Sequence, residues 1–76
     1  MDWAKFRRKF TSKIGSYFFE YKDYTISIEH GEKYSVFLLE RQRYVLERTY
    51  YKTPNELLKK SRIEGKRLRE IWYKII

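Results

Sequence analysis

Cysteine is missing from all 76 residues, which excludes disulfides and thiolate-bound metal. Nothing in the composition marks an oxidising compartment, and cytoplasm is the expected location. Histidine occurs once, at His30, so a nucleophile–base–orienter triad lacks its usual base and a metal site lacks converging ligands. The three glycines, at positions 15, 31 and 65, lie too far apart to build a phosphate-cradling loop. The longest aliphatic and aromatic run, Val36 to Leu39, is far too short to span a bilayer, and the charged start MDWAKFRRKF lacks the apolar core of a signal peptide. Ten carboxylates are present, but no spacing marks an acid–base pair. The expectation from these absences is a non-enzymatic protein with no metal, no cofactor and no membrane span.

The chain is rich instead in bases and aromatics. A hydrophobic fraction of 42% with 20% aromatics argues against disorder, and the length suits one domain over residues 1–76. A single unstapled core of this size supports on the order of 3–5 kcal/mol of stability. Net charge is +8, and it is unevenly placed: residues 1–15 and 54–76 carry +4 each, whereas 16–53 are balanced. If both ends are helical and share a sheet, their outer faces form a basic band suited to a polyanion or an acidic protein surface.

The organising stretch is Tyr24 to Tyr51, which reads as an antiparallel meander. Its first strand alternates, with Tyr24, Ile26 and Ile28 opposed to Thr25, Ser27 and Glu29. Before it, Ser16 to Lys22 reads as another strand, joined by a Lys22–Asp23 turn or a bulge in one bent strand. His30 and Gly31 signal a hairpin tip, with Gly31 at positive φ and His30 doing local turn work. Lys33 to Arg41 is apolar on both faces and so predicts a central strand; Gln42 turns the chain into Tyr44 to Tyr51. Which face of these last strands is covered stays open, because a one-residue slip exchanges the two sets.

A sheet with an apolar face needs a cover, and both ends supply helical patterns. From Asp2 to Ile14, Trp3, Phe6, Phe10 and Ile14 form one stripe, with Asp2 as N-cap and Gly15 past the C-terminus. The stripe reads as the side that packs on the sheet, although Trp and Phe beside Lys and Arg also suit a membrane-surface helix. Thr53, Pro54 and Glu56 form a capping box before Leu57 and Leu58, predicting a helix to Lys60 or Ser61. Ile63 anchors the next link and Gly65 permits a sharp turn. Helical spacing resumes over Lys66 to Ile75, with Leu68, Ile71, Trp72 and Ile75 on one side. The resulting class is α+β: an N-terminal helix, a three- to four-stranded antiparallel meander, and two C-terminal helices packed on one sheet face.

The segment Thr53 to Trp72, with Pro54, Glu56, Leu57, Leu58, Ile63, Gly65, Leu68, Glu70 and Ile71 following a Tyr- and Val-rich meander, resembles small uncharacterised proteins of phages, prophages and integrative elements of Gram-positive bacteria. These residues are caps, turns and core positions, so the resemblance implies a fold and carries no functional residue across.

For function, the sequence favours a small binding module whose basic helical surface engages nucleic acid or another anionic partner. Lys5, Arg8 and Lys9 are the contacts expected on the first helix; Lys59, Lys60, Lys66, Arg67 and Arg69 are those expected at the other end. Aromatics among bases can stack nucleobases, although tyrosine is also simply a good strand residue. The alternative is a protein–protein interaction factor, such as a mobile-element modulator of a host protein, using the aromatic outer sheet face.

Overall fold

Asp2 starts the first helix as its sequence position predicts: its carboxylate accepts from the Lys5 N–H at 2.8 Å, satisfying one of the free donors of the first turn. The structure, a computed structural model, describes residues 2–75. Helix α1 (Trp3–Ser12) leads into four strands, β1 (Gly15–Tyr21), β2 (Tyr24–His30), β3 (Ser35–Arg41) and β4 (Tyr44–Tyr51). Helix α2 (Pro54–Lys60), a small hairpin of β5 (Arg62–Ile63) and β6 (Lys66–Arg67), and helix α3 (Leu68–Ile75) complete the order. The large sheet is an antiparallel meander with β1 and β4 at its edges. The α+β class and the helix–meander–helix order therefore stand as expected.

Alternation decides the covered face. Tyr21, Tyr24, Ile26, Ile28, Phe37 and Leu39 point into one core with Phe6, Phe10, Leu57, Leu58, Ile63, Leu68, Ile71 and Trp72. On β3 the inward set is Ser35, Phe37 and Leu39, while Val36 and Leu38 are half-buried on the other face, which settles the register left open by pattern. Each helix contributes differently. Phe6 and Phe10 of α1 meet Tyr17 of β1 edge to face at 5.4 and 5.7 Å, Trp72 of α3 meets Phe19 of β1 at 5.3 Å, and α2 approaches β3 and β4.

Three local expectations are corrected. First, α1 stops at Ser12. The Thr11 and Ser12 hydroxyls donate back to the Arg7 and Lys9 carbonyls, competing with the next helical turn, and Lys13 is extended. Ile14 consequently leaves the stripe and is 58% exposed, and Gly15 opens β1 opposite His30 instead of ending the helix. Second, His30 is not a hairpin tip. It closes β2 between Gly15 and Ser35, and its Nδ1–H donates to the Phe10 carbonyl at 2.9 Å, an acceptor in the last turn of α1. The connection to β3 is correspondingly longer. Gly31 is needed there for space and not for positive φ: an added Cβ would sit 2.8 Å from the Tyr34 carbonyl oxygen, which accepts from the Gly31 N–H. Third, helical spacing does not begin at Lys66. Lys66 and Arg67 pair with Ile63 and Arg62 in the two-residue ladder, and α3 starts at Leu68.

Candidate functional site

On a helical wheel at about 100° per residue, Arg7 and Thr11 fall on one flank of the Trp3–Phe6–Phe10 stripe, Lys5 and Lys9 fall towards the other, and Arg8 lies nearly opposite the stripe. This geometry decides which charges of α1 meet the C-terminal elements once the stripe is packed. In α2, Asn55, Leu58 and Lys59 share an i, i+3, i+4 face. Arg67 ends β6 and Arg69 lies in the first turn of α3, beside the buried Leu68. The three groups converge on a cleft of about 640 Å³ lined by Trp3, Arg7, Arg8 and Thr11 from α1, Asn55, Leu58 and Lys59 from α2, and Arg67 and Arg69. Trp3, which meets Phe6 at 6.0 Å and Trp72 at 5.4 Å, carries α1 against α3 and supplies an aromatic wall.

Among the described residues, five cations thus line one depression and no carboxylate does. Among the described residues the side-chain ion pairs are Lys22–Glu64 and Arg41–Asp23, both at 2.7 Å, and Lys60–Glu56 at 4.0 Å, so none of the five cleft cations is neutralised by one. Glu70 comes nearest in sequence, but its carboxylate accepts from the Arg67 backbone N–H at 2.7 Å, a reach-back that tidies the start of α3. Concentrating unpaired cations in a concave, partly apolar wall raises the local potential and favours an anion there.

Of the eight cations expected from sequence, Arg8, Lys59, Arg67 and Arg69 line the cleft. Lys5, Lys9, Lys60 and Lys66 do not: Lys5 and Lys9 lie across the stripe, Lys60 faces Glu56, and Lys66 sits in the small ladder. Sequence reasoning missed Arg7, which stands four residues after Trp3 and is therefore its neighbour on the helix surface. Its position beside the stripe, not opposite it, was the available signal.

A second polar cluster was also missed. Glu64, in the β5–β6 turn, accepts from Lys22 Nζ at 2.7 Å and from the Tyr24 hydroxyl at 3.1 Å, tying the small hairpin to the β1–β2 turn. These hydrogen bonds, Lys22 first, hold the Glu64 carboxyl below its ordinary pKa, and the same contact raises Lys22. Burial, then the Glu64 contact, raises Tyr24. Arg41 extends the cluster through Asp23 and lies over the Tyr24 ring at 5.3 Å. Its charges are matched, so it reads as structural.

No protein-family model, curated protein or solved structure matches the chain. Among the described residues, no helix is long and apolar enough to cross a membrane.

Proposed function

We propose that the protein is a small non-enzymatic module that binds nucleic acid through the cleft between α1, α2 and α3. The observation that carries this reading is the convergence of Arg7, Arg8, Lys59, Arg67 and Arg69 from separate elements on one cleft wall that contains Trp3 and, among the described residues, no carboxylate. Guanidinium forks grip phosphate oxygens in pairs, and four of these five cations are arginines. The fit to a polyanion is in charge and shape; base preference does not enter it. In this reading the protein acts in the cytoplasm, as one of the phage and mobile-element proteins its C-terminal segment resembles.

The deciding measurement is affinity for mixed-sequence DNA and RNA across several salt concentrations. Arg7, Arg8 and Lys59 changed together to Gln should weaken binding of every sequence and flatten the slope of log K against log salt by up to roughly 0.7–0.9 per lost contact. Lys5 and Lys9 changed to Gln should have a smaller effect. A parent protein that binds neither polymer at low salt overturns the proposal.

A second reading draws on the outer sheet face and the β4 edge. Phe18 is 74% exposed, and Tyr44, Val45 and Leu46 at the start of the edge strand are all more than half exposed. Exposed apolar groups beside an unpaired strand edge suit a protein partner. Capture of one host protein that persists at high salt, together with no nucleic-acid binding, would make this the better account.

A further inference from the structure

At the end of the sheet where β3 begins and β4 finishes, Tyr34 and Tyr50 meet edge to face, with ring centroids 5.1 Å apart and planes at 84°. Neither ring is spent on the core, since the two are 50% and 58% exposed. With Lys33, Tyr51 and Lys52 they line an open pocket of about 400 Å³. Among the described residues, neither lysine is in an ion pair. An edge-to-face pair leaves ring faces uncovered by the partner, and the two lysines line the same pocket as those rings. Planar, apolar faces next to cations match a nucleobase with its phosphate.

The pocket and the basic cleft are neighbours along the chain. Lys52 lines one and Asn55 the other, so these Cα atoms lie no more than about 11 Å apart. A few nucleotides cover that distance. Lys33 and Tyr34 also line an adjoining depression with Glu29 and Glu32, whose carboxylates would repel a phosphate chain there. The charges therefore steer a strand from the tyrosine pair past Lys52 towards the cleft.

We propose that the Tyr34–Tyr50 pocket is a base-stacking subsite, and that the ligand of this protein is accordingly single-stranded nucleic acid. The inference rests on the reading of the cleft as a phosphate site. Duplex bases are stacked on one another inside the helix and offer no free face to a tyrosine ring, whereas an unpaired strand does.

The test compares fluorescence anisotropy of a labelled single-stranded oligothymidine with that of a mixed-sequence duplex at low salt. The parent should bind the single strand more tightly. Tyr50→Leu, which keeps a bulky strand-compatible side chain without a ring, and Tyr34→Ala should each weaken single-strand binding by roughly 5- to 30-fold, leave the duplex affinity unchanged, and keep the salt slope. Tyr50→Phe should retain parental affinity because stacking uses the ring and not the hydroxyl. Unchanged single-strand affinity in folded Tyr50→Leu and Tyr34→Ala overturns the stacking subsite while leaving the cleft reading intact. Absence of salt-sensitive binding by the parent overturns both.

Discussion

The Trp72 indole stacks on the Phe6 ring, with centroids 4.4 Å apart and planes inclined by 28°, so the last helix is held directly against the first. The same indole meets the rings of Trp3 and Phe19 edge to face at 5.4 and 5.3 Å. Such pairs add about 0.5–1.5 kcal/mol each beyond burial of their area. Trp72→Ala should therefore cost about 3–5 kcal/mol, comparable to the whole expected stability, and leave the chain unfolded at ambient temperature. Loss of the cooperative thermal transition and of near-ultraviolet circular dichroism is the expected result; a variant melting at the parental temperature would contradict this packing.

Thr53 caps α2 by accepting from the Glu56 N–H at 3.1 Å. Removing that acceptor in Thr53→Ala should destabilise the protein by roughly 1 kcal/mol with the fold retained. Amide exchange at Glu56 should accelerate relative to amides in the middle of the sheet. Equal protection in parent and variant would show that the hydroxyl does not hold this helix start.

Much of this architecture was legible because local rules and tertiary packing agree. The Thr53-Pro54 start, the Leu68–Ile71–Trp72 face and the alternation of β2 each combine a cap or a period with burial on the matching side. Legibility failed where two local preferences competed. The period carrying Phe6 and Phe10 runs on to Ile14, but the Thr11 and Ser12 hydroxyls and the pairing of Gly15 with His30 end the helix first. Charge in both end segments led to the expectation of an anionic partner, yet composition cannot say which flank of a helix faces another. That is why Arg7 was missed and Lys5 was chosen.

The β3–β4 hairpin turns through Gln42 and Arg43, both at positive φ, 49° and 70°. Neither has the conformational freedom of glycine, and left-handed backbone costs an ordinary residue roughly 1–2 kcal/mol. Gln42→Asn with Arg43→Gly supplies the residue types this turn favours and should raise stability by about 1 kcal/mol, or roughly 4–8 °C in Tm. A lower Tm would mean that these side chains contribute more than their backbone strain removes.

The Glu64 cluster sets the pH response. A carboxyl whose folded pKa lies below its unfolded value adds stability above the ordinary carboxylate range and loses it as pH falls through the folded value. Lys22 and Tyr24, both raised, add stability below their ordinary values near 10 and lose it as pH rises through the folded ones. Denaturant midpoints followed from pH 3 to 11 should thus fall at both ends, and Glu64→Gln should flatten both limbs. The ion pair is exposed, so added salt should reduce the difference between parent and variant. Superimposable pH profiles would remove Glu64 from the account.

The stack of Phe6 on Trp72 also constrains the order of events during folding. Tyr17 and Phe19 of β1 meet the Phe6 ring edge to face, but the indole that stacks on it is supplied only by α3. Until then the meander can pair strand by strand through short loops, while one side of its core has no lid. Closure is a contact between distant parts of the chain, the kind that slows folding most. Native packing of the first helix is thus completed only when α3 docks and Trp72 stacks on Phe6.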